Sequence, residues 1–138
     1  MNTRLQEVEH LCKKYRVKAL YVFGSRGADM LRFLQDESFQ LPSSPSDFDI
    51  GVLSHSPLSV ENKVDLTLDL EKTFIASNVD LFVLQEADAF LAANIVRGDR
   101  VYAEDDYLAD EYELFVLGRA GDLAELERQR MAMILQEA

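Results

Sequence analysis

Three apolar runs of strand length constrain this chain more than any other feature. They span Val17 to Phe23, Asp47 to Leu53 and Asn78 to Leu84. The first stops at Gly24-Ser25-Arg26, the second opens on Asp47-Phe48-Asp49, and the third carries Asp80 between Val79 and Leu81. Between the runs, apolar residues recur at helical rather than alternating spacing. Strands that alternate with helices point to a layered domain with helices packed on a sheet.

Leu5, Val8, Leu11 and Cys12 predict an amphipathic helix over residues 4 to 15, and Met30, Leu31 and Leu34 predict another from Gly27 to Leu34. Gln35 to Ser46 holds two Pro and four Ser and reads as a mobile loop. Ser59 can cap the next helix, with Glu61 in its first turn where the dipole favours an acid. In that helix Val60, Val64 and Leu68 form one row, and Leu66, Leu70 and Phe74 form a second. Ala87 to Val96 reads as helical, followed by a turn and an extended piece around Val101-Tyr102. The chain is helical again from Tyr107. Gly118 and Gly121, with Asp122 able to cap and Glu125 three residues later, predict a kink or restart there. The expected fold is α/β (α+β), a small mixed sheet of three to four strands with flanking helices. It forms one domain over 1–138, with its core at about 17–106 and a helical segment at 107–138.

Charge and composition narrow the function. The 138 residues are 48% hydrophobic, enough for one core. A formal charge of −11 repels phosphate backbones and argues against direct nucleic-acid binding, while it suits a partner protein with a basic surface. No apolar run approaches the roughly 20 residues of a membrane span, and none reads as a secretory leader. The lone Cys12 forms no internal disulfide, which points to the cytoplasm. With only His10 and His55 beside it, Cys12 makes a poor zinc set.

Asp47 and Asp49 stand two apart on one strand, so their side chains leave by the same face. If the third strand pairs beside the second, Asp80 joins them. Asp80 could otherwise form a structural ion pair with Arg16, Lys18 or Lys72. Three converging carboxylates repel one another unless a cation sits among them, and a hard divalent ion such as Mg2+ is the natural counter-charge. Two such ions can share the cluster. Gly24-Ser25, at a strand-to-helix junction, offers backbone N–H groups and a hydroxyl where an anion is favoured, and Arg26 can add charge. Acids that hold metal beside a turn that holds phosphate describe a site for a metal-bound nucleoside triphosphate.

At these residues the chain resembles the nucleotidyltransferase superfamily related to DNA polymerase beta, in its minimal form. The resemblance rests on Gly24-Ser25, Asp47-Phe48-Asp49 and Asp80. The text around them agrees ("LYVFGSR", "SDFDIGVL", "VDLFVL", "RGDRVYAED"), so the match runs roughly from Lys18 to Asp106. One departure stands out: Arg26 to Ser46 is about twice the interval usual in minimal members, which places an inserted loop beside the site.

The resemblance implies an antitoxin, of the type VII kind, that works beside a HEPN-domain ribonuclease toxin. Such members transfer AMP from ATP to a tyrosine of the toxin. Carried over, Asp47 and Asp49 hold both Mg2+ ions, Asp80 completes one site and helps deprotonate the acceptor, and Gly24, Ser25 and Arg26 bind the triphosphate. Two alternatives stay open: a non-catalytic binding antitoxin, or a nucleotidyltransferase acting on a small hydroxylated molecule. Leu114, Phe115, Leu117, Met131, Met133 and Ile134 exceed what one helix needs for its own packing and mark the expected partner surface.

Overall fold

A computed structural model describes residues 3–137. The elements run α1 (Thr3–Lys14), β1 (Val17–Phe23), α2 (Gly27–Gln35), β2 (Phe48–Ser54), α3 (Val60–Phe74), β3 (Val79–Val83), a 3-10 turn (Leu84–Glu86), α4 (Ala89–Val96), β4 (Asp99–Ala103) and α5 (Asp106–Glu137). The four strands form a single sheet in the order β3-β2-β1-β4. β1 is antiparallel to both its neighbours, whereas β2 and β3 run parallel, joined by α3 as a crossover of the length a parallel pair requires. The mixed sheet with flanking helices is the fold expected from the residue pattern.

Both faces of the sheet are covered, which explains the nearly unbroken apolar text of β1. On one face Leu20, Val22, Phe48, Ile50, Val52 and Val79 meet α1, α2 and α3. On the other, Ala19, Tyr21, Phe23 and Leu53 meet α4 and α5. An irregularity in β1 between Val17 and Ala19 shifts the register, so Val17 and Leu20 reach the same core. Of the two rows on α3, only Leu66, Leu70 and Phe74 are buried; Val60, Val64 and Leu68 are exposed. Ser59 caps α3 as expected, its side chain accepting from the Asn62 N–H. Asp88 does the same for α4, accepting from Phe90 and Leu91.

Two expectations need correction. The helix does not restart at Gly118 and Gly121: α5 runs without a break from Asp106 to Glu137. A glycine costs a helix about 1 kcal/mol, but here nothing crowds either one and good helix formers surround them. Pairs Glu125–Arg128 and Glu127–Arg130 add small support three residues apart. The loop after α2 is also tethered rather than loose. The Arg4 guanidinium donates to the carbonyls of Phe33, Asp36 and Phe39 at 2.8 to 3.0 Å, and Glu37 accepts from Thr3.

Among the described residues, no helix is long and apolar enough to cross a membrane. Stability rests on the central strands. Ile50→Ala is predicted to cost about 2–5 kcal/mol in urea unfolding, whereas Met133→Ala on exposed α5 should stay within about 0.5 kcal/mol.

Candidate active site

The site lies where the C-terminal end of β1 meets the starts of β2 and β3. β2 is central to it: Asp49 pairs across to Phe23 of β1 on one side and to Asp80 of β3 on the other. Because β2 and β3 are parallel and in this register, Asp49 and Asp80 stand directly opposite and leave by the same face. Asp47 sits one residue ahead of β2, a step outside the strand that the residue pattern assigned to it. Asp47 and Asp80 are exposed, and Asp49 is half-buried.

Electrostatics shows that the three acids share one locale. Burial pushes the Asp49 carboxyl above its ordinary value, and the negative charges of Asp80 and then Asp47 push it further. No hydrogen bond or ion pair engages the side chains of Asp47, Asp49 or Asp80 among the described residues, and Asp80 pairs with none of Arg16, Lys18 and Lys72. Lys72 acts on Asp69 instead.

The Gly24-Ser25 turn closes the arrangement. Gly24 has φ 76°, a left-handed conformation that glycine adopts without strain, and a Cβ there would overlap Asp49 Oδ2. The bare backbone at 24 is therefore what lets the Asp49 carboxylate lie against the turn. The Gly27 N–H returns to the Gly24 carbonyl at 3.1 Å, and α2 starts at once with no side-chain cap. Ser25 is exposed beside this helix N-terminus, a place where an anion is favoured.

Arg26 does not join this set. It is 5% exposed, its guanidinium lies 3.9 Å over the Phe48 ring, and Nη2 donates to the Pro42 carbonyl. Phe48 belongs to the core on the opposite face from Asp49, so the charge of Arg26 is drawn to the other side of the sheet. The aromatic residue inside Asp-Phe-Asp was the only trace of this contact in the text.

Among the described residues, no three acidic, His or Cys side chains already stand as a ligating cage. The donor set nevertheless fits a divalent cation. It consists of carboxylates only, two of them exposed and without a side-chain partner among the described residues, which is the oxygen chemistry a hard divalent ion takes.

The polymerase beta nucleotidyltransferase family model matches residues 6–107, most of the chain and every acid above. The chain belongs to the polymerase beta nucleotidyltransferase family. No curated protein matches its sequence. Solved structures share its fold. One is a toxin–antitoxin with AMP-PNP, 21% identical over 96% of each chain, with a TM-score of 0.64. Another is a tri-AMPylated HEPN toxin in complex with MNT antitoxin from Shewanella oneidensis, 20% identical over 99% of this chain and 98% of that one, at 0.61. The toxin–antitoxin MntA–HepT matches at 19% over 99% and 97%, again at 0.61.

Two outcomes test the site of this nucleotidyltransferase. The raised carboxyl of Asp49 means that the folded chain holds that proton more tightly than the unfolded one. Stability therefore rises as pH falls through the folded value and levels off below the unfolded value of about 3.9. Asp49→Asn should accordingly raise Tm at pH 7 without metal, and the gain should vanish below about pH 4. Gly24→Ala should lower Tm and shift Asp49, seen as a change in its carboxyl titration by NMR.

Proposed function

We propose that this nucleotidyltransferase is the antitoxin of a HEPN-domain ribonuclease toxin and transfers AMP from ATP to a tyrosine of that toxin. The observation that carries the reading is the register of β2: it brings Asp49 beside Asp80 and against the Gly24-Ser25 turn. The likeness to a tri-AMPylated toxin in complex with MNT antitoxin, and to a toxin–antitoxin holding AMP-PNP, supports the choice of reaction and partner.

Asp47 and Asp49 would hold two Mg2+ ions and Asp80 would complete one of their sites; bound there, the ions neutralise charge on the triphosphate and the acceptor oxygen. Gly24 lets the backbone approach the phosphates, and Ser25 donates to an oxygen. Asp80 accepts the proton of the acceptor hydroxyl as its oxygen bonds to the α-phosphorus. The bond from that phosphorus to the bridging oxygen breaks, and pyrophosphate leaves with the electron pair. Positioning and charge stabilisation do most of this work. The acids lie on an open part of the surface, as suits an acceptor carried by a second protein.

The partner surface fits α5. Leu108, Phe115, Leu126 and Met133 form one row of the helix, each about 60% exposed. Leu117 alone of the expected set is partly buried, packed on the domain. The same row serves a purely binding antitoxin, so the two readings part on chemistry.

The double variant Asp47→Asn/Asp49→Asn should abolish Mg2+-dependent labelling of the toxin from α-labelled ATP while still forming the complex. Equal labelling by the double variant contradicts the mechanism. Phe115→Asp/Met133→Asp should fold normally and lose co-purification with the toxin; retained complex would place the interface elsewhere.

A further inference from the structure

The inserted loop returns to the site through a clamp. Arg26 holds it at two points, the Pro42 carbonyl and the Phe48 ring. Asn78, just ahead of β3, holds it at two further points: its Nδ2 donates to the Ser46 carbonyl at 2.8 Å, and its carbonyl accepts from the Phe48 N–H at 3.0 Å. Asp47 lies between these two anchors, and Phe48 is the residue between Asp47 and Asp49. Whatever fixes Phe48 therefore fixes the backbone from which both acids project.

We infer that Arg26 is a positioning residue: it locks the 42–48 segment through Pro42 and Phe48 and so sets the geometry of the Asp47–Asp49 pair, rather than binding phosphate. Three features favour this over a phosphate contact. The side chain is nearly inaccessible, its planar group is stacked on an aromatic ring, and that ring belongs to the face of the sheet away from Asp49. A stacked, hydrogen-bonded guanidinium is a role that lysine cannot fill, since a point ammonium neither stacks nor presents a flat fork. A residue that supports metal ligands in this way commonly changes affinity by about 10–100-fold when removed. The inference rests on the proposed function for its Mn2+ and activity arms; the exchange arm stands without it.

The test compares Arg26→Lys and Arg26→Met with the wild-type chain. Amide hydrogen exchange over residues 43–49 reads the clamp, Mn2+ titration by electron paramagnetic resonance without nucleotide reads the acids, and steady-state AMP transfer separates kcat from KM. Both variants should speed exchange in the segment and weaken Mn2+ binding about 10-fold. In both, kcat should fall while KM for ATP stays the same. Arg26→Lys that keeps wild-type exchange and Mn2+ binding, with Arg26→Met raising KM for ATP, would overturn the inference, because charge alone would then suffice. If either variant fails to fold, Phe48→Leu removes the ring and touches no proposed ligand. It should reproduce the faster exchange and weaker Mn2+ binding, and wild-type behaviour there would equally overturn the clamp. Wild-type chain that binds Mn2+ yet transfers no AMP would count against the reaction and leave the exchange and Mn2+ arms to decide the role of Arg26.

Discussion

The structure depends on one electrostatic tension: Asp49 is held half-buried, beside Asp80 and near Asp47, with no side-chain hydrogen bond or ion pair among the described residues to relieve it. Backbone pairing imposes this placement. Asp49 cannot move from Asp80 without breaking the β2–β3 register, and it cannot be pushed toward β1 without meeting the Gly24 turn. A carboxylate kept in such a position weakens the fold unless positive charge lies beside it, and a hard divalent ion is one source of that charge.

The sheet divides its labour by face. The face that packs α4 and α5 carries the acids at its rim, and Gly51 there leaves room for Ile95 of α4 to sit close to the strand. Phe23 and Phe82 meet edge to face, 5.5 Å between centroids, across that same surface. The face that packs α1 to α3 carries the support: Arg26 on Phe48, with the inserted loop drawn down by Arg26 and Arg4. Alternation along β2 is what permits this, since Phe48 and Asp49 are adjacent in sequence and opposite in space.

Much of this was legible in the text because it depends on local pattern. Period-2 alternation in β3 placed Asp80 on the face opposite Val79, Leu81 and Val83, and helical spacing placed Leu66, Leu70 and Phe74 in the core. The convergence of Asp47, Asp49 and Asp80 needed only the neighbouring placement of β2 and β3. What misled was context. The Ser/Pro text of 35–46 looks mobile because its tethers, Arg4 and Arg26, lie far away in sequence and carry no spacing signal. Gly118 and Gly121 read as a break because propensity sees the two residues and not the long helix on either side. Adjacency to Gly24-Ser25 gives Arg26 no spacing signal for the contacts it makes with Phe48 and Pro42.

The most direct measurement is anomalous diffraction from crystals grown with Mn2+ and a non-hydrolysable ATP analogue. The account predicts anomalous peaks among the carboxylates of Asp47, Asp49 and Asp80, with the triphosphate laid along Gly24 and Ser25. Nucleotide bound elsewhere, or manganese density absent from these three acids, would contradict it.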